Sequence, residues 1–114
     1  MAPEEIMACG KRVWPGREWR ISPDALIVTA EKARSMDVVV CGAAGDARIY
    51  DPTTGADAWD ALMWMTQKCW DEGFRLTFEV DGGITVDGPE DNYHVPGSQG
   101  VALVRMIADW PAGR

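Results

Sequence analysis

The fold is decided by residues 57–87, which read DAWDALMWMTQKCWDEGFRLTFEVDGGITVD. Up to about Asp71, apolar residues recur every three or four positions, which is the spacing of one face of an α-helix. After Gly73 the period changes to two, which is the spacing of a half-buried β-strand. The stretch therefore predicts an amphipathic helix followed directly by a β-hairpin.

The helix is expected to extend from Ala56 to about Asp71. Thr53 or Thr54 can supply an N-cap oxygen, and Gly73 is a suitable residue to end the last turn. The residues expected to face the core are Trp59, Leu62, Met63, Thr66 and Trp70, with Ala58, Ala61, Met65 and Cys69 widening the stripe. The expected polar back is formed by Asp60, Gln67, Lys68 and Asp71, and Trp64 falls among them.

The hairpin is expected between Phe74 and Asp87. Its inward positions are Phe74, Leu76, Phe78, Val80, Ile84 and Val86. Asp81-Gly82-Gly83 separates the two strands, and its glycines can adopt the positive φ angles that a tight turn needs.

A similar arrangement lies earlier in the chain. Ser22-Pro23-Asp24 predicts a helix to about Ser35, although the β-branched run Ile27-Val28-Thr29 favours a strand there as the alternative. The strands expected after it are Val38–Cys41 and Ala47–Tyr50. The Asp-Ala-Leu triplet of residues 24–26 recurs at residues 60–62. The two predicted helix–hairpin units are residues 22–52 and 56–89.

The ends of the chain complete a single predicted domain of 114 residues. Residues 1–21 contain prolines and glycines that predict an irregular segment, with a short helix from Pro3 to Cys9 as the alternative. Residues 90–100 predict a loop, and residues 98–110 predict a last helix onto whose end Trp110 packs back. The expected class is α+β in the order α-β-β-α-β-β-α, with one four-stranded, mainly antiparallel sheet covered by helices.

The net charge of −7 is unevenly distributed. Residues 51–91 contain ten acids and two bases, a balance of −8. A basic face that could bind nucleic acid directly is therefore not expected. A basic protein is the expected partner, because opposite potentials steer association.

The sequence shows no catalytic or metal-binding motif, so we expect no enzyme, metal or cofactor. His94 is the single histidine and lies in a predicted loop without a second ligand nearby. Three cysteines, Cys9, Cys41 and Cys69, form no CxxC pair, which favours reduced thiols and a cytoplasmic protein. We expect no membrane span, because no run of about 18 apolar residues occurs, and the N-terminus does not read as a secretory signal.

Two features remain as candidate binding sites. The first is an acidic surface around the second hairpin, formed by Glu79, Asp81, Asp87, Glu90 and Asp91. These carboxylates either imitate phosphates toward a basic partner or only keep the chain in solution. The second is Trp64, which is either an exposed aromatic anchor or a side chain buried against the N-terminal segment.

Several short runs resemble those of small phage proteins of the ABA-sandwich type. The runs are Asp57-Ala58-Trp59-Asp60-Ala61-Leu62, Glu72-Gly73-Phe74, the hairpin that follows, and Gly100-Val101-Ala102-Leu103. The resemblance covers roughly residues 53–110, and the first fifty residues depart from it. It implies a phage or mobile-element origin, and small acidic phage proteins of this kind often resemble inhibitors of host defence, including anti-CRISPR proteins.

The resulting hypothesis is a non-enzymatic phage or mobile-element protein in the cytoplasm of the host bacterium. We expect it to inhibit a host defence nucleoprotein, in the manner of an anti-CRISPR protein, by binding a basic nucleic-acid-binding surface. The alternative is an immunity protein or antitoxin that neutralises a basic toxin such as a nuclease. A monomer and a homodimer both fit the sequence.

Overall fold

The computed structural model of the chain describes residues 2–22, 38–43 and 45–110, apart from the side chain of Gln99. These residues form three helices and six strands. In chain order they are α1 (Pro3–Val13), β1 (Trp19–Ser22), β2 (Val38–Cys41), β3 (Arg48–Ile49), α2 (Gly55–Glu72), β4 (Arg75–Phe78), β5 (Ile84–Asp87), β6 (Asn92–Val95) and α3 (Gln99–Ala108). Strands β1, β2 and β3 form the antiparallel sheet A, and β4, β5 and β6 form the antiparallel sheet B.

The predicted α+β class is confirmed, and both predicted hairpins are present as β2–β3 and β4–β5. The prediction of one four-stranded sheet is wrong, because each hairpin pairs with a third strand from its own end of the chain. In sheet A, β1 pairs with β2 from Trp19 opposite Cys41 to Ser22 opposite Val38. In sheet B, β6 pairs with β5. The helix predicted from Ser22 to about Ser35 lies outside the described residues, apart from Ser22 itself, which ends β1.

Strand β6 lies within residues 90–100, which the sequence predicts to be a loop. Tyr93 and Val95 are half-buried there, whereas Asn92 and His94 are exposed, so the alternation of a strand is present. It lasts only four residues and is surrounded by glycine and proline. Pairing with β5, rather than local propensity, makes this segment a strand.

The prediction that residues 1–21 are irregular is wrong, because α1 and β1 occupy most of them. Pro3 takes the first helical position, where its missing N–H has no partner to lose. Gly10 lies inside the helix rather than at its end. Its role is to leave room for the ring of Trp19, which a Cβ at this position would overlap. The alternative of a helix from Pro3 to Cys9 is therefore right in kind but four residues too short.

Helix α2 is one residue longer at each end than predicted, and Gly73 ends it with a φ of 76° as expected. Its predicted orientation is only partly right. The buried residues are Asp57, Ala61, Met65 and Cys69, of which the last three were expected to widen the inward stripe. Residues expected at the centre of that stripe are instead exposed, by 63% for Trp59, 51% for Met63 and 83% for Trp70. Small side chains such as Ala61 and Cys69 let α2 approach its neighbours closely, whereas two indole rings would hold the helices apart.

The larger core lies between the helices and the inner face of sheet B. Its buried members are Cys9, Ala61, Met65, Cys69, Ile84, Val86, Ala102, Leu103, Val104, Met106, Ile107 and Trp110. The predicted return of Trp110 onto the core is confirmed. Its ring centroid lies 5.5 Å from that of Phe74 and 6.1 Å from that of Tyr93. Its Nε1 donates a hydrogen bond to Glu72 Oε2 at 2.9 Å, which anchors the end of α3 to the end of α2.

A smaller core lies on sheet A and contains the buried residues Val39, Cys41 and Tyr50. Helix α1 joins the two cores, because Ile6 packs against the smaller one and Cys9 belongs to the larger one. The thiol of Cys9 lies 3.9 Å from the hydroxyl of Tyr50. Helix α1 therefore packs against β1 and β2 of sheet A on one side and against α2 and α3 on the other, so packing connects the two parts of the fold.

An ion pair also connects sheet A to α2. Arg48 donates from both terminal nitrogens to the two carboxylate oxygens of Asp57, each at 2.8 Å. The backbone N–H of Asp51 donates to Oδ2 of the same carboxylate at 3.1 Å. Burial tends to raise the pKa of Asp57, but the hydrogen bonds from Arg48 and Asp51 outweigh it and hold that pKa below its usual value.

Candidate functional site

Sheet B turns one face to the larger core and the other to solvent. In β5, Ile84 and Val86 are fully buried, whereas Thr85 and Asp87 are half-buried on the opposite face. The strand register extends this outer face into two polar rows. One row contains Thr77, Thr85 and His94, and the other contains Arg75, Asp87 and Asn92. The outer face of sheet B is therefore a polar surface that crosses all three strands.

Thr85 connects Glu79 with His94 across this face. Its hydroxyl donates to Glu79 Oε1 at 2.9 Å, and Nδ1 of His94 lies 3.0 Å from the same hydroxyl oxygen. Because the hydroxyl has one proton and gives it to Glu79, His94 is the donor and carries a proton on Nδ1. The arrangement holds the side chains of β5 and β6 in register and leaves Nε2 of His94 as the ring nitrogen available to a partner.

The five predicted acidic residues fall into two groups at opposite ends of sheet B. Glu79 and Asp81 lie at the turn between β4 and β5, whereas Asp87, Glu90 and Asp91 lie at the turn between β5 and β6. We call these two groups the acidic turns. The length of β5 separates them, which is about 10 Å at the rise of an extended strand. The structure therefore brings Asp87, Glu90 and Asp91 together, but it does not join them to the other two in one continuous cluster.

The charges of the acidic turns are not cancelled by salt bridges. Asp81 accepts a hydrogen bond from the backbone N–H of Gly83 at 2.9 Å. The amide of Asn92, oriented with its nitrogen toward the acceptors, donates to Asp87 Oδ1 at 3.1 Å. Arg75 lies opposite Asp87 in the register but forms no salt bridge with it. In the part of the chain that the structure describes, the salt bridges are Arg48–Asp57 and Arg105–Glu5.

Trp64 is the sixth predicted contact residue. It is half-buried and packs against the larger core. The ammonium nitrogen of Lys68 lies 5.5 Å from the centroid of the Trp64 ring, so the Lys68 side chain also covers part of that ring. A contact role for Trp64 stays a prediction, but the exposed aromatic surface of α2 lies elsewhere.

That exposed surface is an apolar stripe on α2, which we call the aromatic stripe and define by Trp59, Met63, Thr66 and Trp70. At 3.6 residues per turn, the four positions fall within an arc of about 60°. They lie on the side of the helix opposite Ala61 and Met65, which are fully buried. The sequence places apolar residues on both sides of the helix, which is more than one buried side can hold. This excess of apolar residues indicates that one apolar side remains exposed.

A cleft of about 270 Å³ opens beside the N-terminal end of the aromatic stripe. Its walls come from α2, the end of β4, the start of α3 and residues 52–55. The apolar side chains that line it include Trp59, Leu62, Phe78 and Leu103. None of the described residues that line it is ionisable. The described walls of the cleft therefore fit an apolar group.

The thiols do not form a reactive site. Burial raises the pKa of Cys9 to about 11, although the hydrogen bond with Tyr50 lowers it slightly. Burial, and then the charge of Glu72, raise the pKa of Cys69 to about 11. Cys41 is also buried. Thiols that remain protonated and covered at neutral pH are poor nucleophiles and poor metal ligands.

Within residues 2–22, 38–43 and 45–110, no group of three His, Cys, Asp or Glu side chains is arranged to hold a metal ion. No described helix is long and apolar enough to cross a membrane. Comparison with protein-family models, curated protein sequences and solved structures gave no match. The functional argument therefore depends on the surfaces of the chain itself.

Proposed function

We propose that the chain is a non-enzymatic protein of phage or mobile-element type that inhibits a host defence nucleoprotein, as an anti-CRISPR protein does. The surface that acts is the outer face of sheet B with its two acidic turns. It binds the basic surface on which the target holds nucleic acid. The observation that supports this proposal most directly is that all five carboxylates of the acidic turns lack a salt-bridge partner among the described residues.

The charge distribution supports a contact with a basic surface. The net charge is −7, and residues 51–91 alone carry −8. The two acidic turns are about 10 Å apart, slightly more than the screening length of about 8 Å at physiological salt. Each turn therefore attracts its own basic groups on the partner.

The turn between β5 and β6 is the stronger of the two contacts. It holds Asp87, Glu90 and Asp91 within five positions, and the last two are exposed. Carboxylates pair with arginine through two parallel hydrogen bonds, and these pairs are stronger than neutral hydrogen bonds. We expect this turn to bind arginine and lysine side chains that otherwise contact phosphates.

The test is a DNA-cleavage assay with purified CRISPR effector complexes, in which the chain is added before the target DNA. The charge-reversed variant carries Asp87→Lys, Glu90→Lys and Asp91→Lys. The matched control carries Glu4→Lys, Glu18→Lys and Asp46→Lys, which are exposed positions outside sheet B and outside α2. Each substitution adds two positive charges, so three of them take the net charge from −7 to −1 in both variants.

We expect the charge-reversed variant to associate with the inhibited effector at least about 10-fold more slowly than the control, because local charge steers association. Inhibition by the original chain should also weaken as salt rises from about 0.05 to about 0.5 M. Equal inhibition by both variants at equal rates would contradict the proposed surface. If the chain inhibits no effector but neutralises a basic nuclease toxin, the immunity-protein alternative replaces this proposal.

A further inference from the structure

We infer that the chain forms a two-fold symmetric dimer through α2, in which the aromatic stripe packs antiparallel against the stripe of a second copy. The inference does not depend on the proposed function. It concerns a different face of the molecule and a different chemistry of contact.

The first observation is the exposure of the stripe. Trp59 is 63% exposed, Met63 is 51% exposed and Trp70 is 83% exposed. No charged side chain interrupts these positions. Large aromatic side chains of this kind dominate the contact energy of protein interfaces, and apolar patches of about 300–600 Å² on a monomer are often functional.

The second observation is that the stripe is complementary to itself. In an antiparallel pair of helices with a two-fold axis halfway along the stripe, position 59 of one copy faces position 70 of the other. Position 63 faces position 66 by the same symmetry. Trp59 therefore meets the second Trp70, and Met63 meets the second Thr66. A two-fold interface needs this reciprocity, because each pair of contacts occurs twice.

The third observation is that each end of the stripe has the shape that the other end needs. Trp70 projects from the surface, as its 83% exposure shows. The cleft of about 270 Å³ lies beside Trp59, next to Leu62 and Phe78, and has room for an indole ring. Eleven residues separate Trp59 from Trp70, which is about 16 Å along the helix. The antiparallel arrangement places the projecting ring of each copy at the cleft of the other.

The exposed area is sufficient for a dimer of moderate affinity. Fully exposed aromatic side chains present about 150–250 Å² each. With the fractions observed for Trp59, Met63 and Trp70, and 40% for Phe78, each copy offers roughly 500 Å². Two copies bury roughly 1,000 Å², the lower limit for a specific interface. An interface of this size is typical of weak association, so we expect monomer and dimer to exchange at micromolar concentrations.

The charges beside the stripe give this dimer a characteristic response to salt. Asp60 and Asp71 flank the stripe on one side, at about 100° and 120° around the helix from Trp59. In the antiparallel pair, Asp60 of one copy approaches Asp71 of the other at the rim. Salt screens this repulsion, so the dimer should become slightly stronger as salt rises. The contact with a basic partner should weaken over the same range.

The first experiment is sedimentation equilibrium of the full chain from about 1 to about 300 µM. The mass should rise with concentration from 12.5 kDa toward twice that value. Trp70→Glu should weaken dimerisation by at least about 100-fold, because a two-fold interface loses the contact twice. The control is Val80→Glu, which makes the same charge change at a fully exposed apolar residue outside the stripe. It should dimerise like the original chain.

The second experiment tests the orientation with two single variants, Thr66→Cys and Ala56→Cys, at exposed positions of α2. In the antiparallel pair, Thr66→Cys alone should form a disulfide readily, because position 66 lies about 4.5 Å along the helix axis from its own copy. Ala56→Cys alone should cross-link much less, because position 56 lies about 25 Å along the axis from its own copy. The three native thiols are buried and should not compete in the folded protein.

Three results would overturn the inference. One is a monomer at all concentrations, which would leave the stripe to a different protein. Another is equal dimerisation of Trp70→Glu and the original chain. The third is efficient cross-linking of Ala56→Cys alone, which would indicate a parallel pair. None of them bears on the cleavage assay, whose charge-reversed residues lie on sheet B and whose control residues lie outside α2, so the two proposals can fail separately.

Discussion

Replacing Asp57 with alanine should destabilise the chain substantially, because this carboxylate joins sheet A to α2. Its neighbours supply three hydrogen bonds, two from Arg48 at 2.8 Å and one from the backbone of Asp51 at 3.1 Å. The Asp57 residue is only 8% exposed, whereas the Arg48 side chain is 47% exposed and can be hydrated again when its partner is lost. Breaking a fully buried pair costs about 3–5 kcal/mol, so we expect a loss of about 2–3 kcal/mol here.

The loss can be followed by thermal unfolding. At about 2.1 cal/mol/K of unfolding entropy per residue, a chain of 114 residues loses about 10 °C of Tm for about 2.5 kcal/mol. The N-terminal helix dipole favours an acid at position 57 by about 0.5 kcal/mol. The higher helix propensity of alanine offsets most of this term. The predicted loss of stability therefore measures the hydrogen bonds that Asp57 accepts from Arg48 and Asp51.

The effect should depend on pH in a defined direction. The pKa of Asp57 is lowered in the folded state, so the unfolded chain binds this proton more readily. The stabilisation is then fully present above about pH 5 and is lost as the pH falls below about 4. Urea unfolding gives the free energy of unfolding of the original chain and of Asp57→Ala. The difference between these two free energies should be smaller at pH 3.5 than at pH 7.

The matched control is Asp60→Ala, which removes the same charge one turn further along α2. Asp60 accepts no hydrogen bond in the described part of the chain, so its replacement should change the free energy of unfolding by less than about 0.5 kcal/mol. The reasoning would be refuted if Asp57→Ala cost less than about 1 kcal/mol, or if its cost were the same at both pH values.

Two further predictions concern the interior. Gly10→Ala should destabilise the chain by about 1–3 kcal/mol, although alanine is the better helix former, because its Cβ would overlap the ring of Trp19. Thermal unfolding of the double variant with Trp19→Leu should show that the cost disappears when the ring is removed. The three buried thiols should react with a thiol reagent at pH 8 only after the chain is unfolded, and fast labelling of the folded protein would contradict the burial of Cys9, Cys41 and Cys69.

Local patterns predicted the elements whose hydrogen bonds are local. The hairpin from Arg75 to Asp87 is predicted by apolar residues at every second position and by a glycine turn. Helix α2 is predicted by apolar residues at every third or fourth position and by Gly73. Strands β1 and β6 were missed because proline and glycine surround each of them, and because each exists through its pairing with a neighbour. The single sheet was wrong for the same reason, since short sequence patterns do not specify which strand pairs with which.

The orientation of α2 shows a second limit of the sequence. A periodic pattern identifies an apolar side, but α2 has two, and packing decides between them. The side with Ala61, Met65 and Cys69 fits closely against the other helices, so the side with the bulkier Trp59 and Trp70 remains outside. For the acidic residues, composition predicted the sign of the surface. The register of sheet B was needed to show that they form two turns rather than one cluster.

The two proposed surfaces differ in the force that each uses, and this difference separates them experimentally. The acidic turns act through charges that salt screens, whereas the aromatic stripe acts through apolar area that salt does not weaken. A carboxylate inside the stripe would lose its hydration when the dimer forms. A tryptophan in an acidic turn would leave water on binding but would have no apolar cleft to enter. Placing the two chemistries on different elements avoids both costs. A single salt titration that follows mass and partner binding together should therefore move them in opposite directions, and a parallel loss of both would mean that one surface carries both contacts.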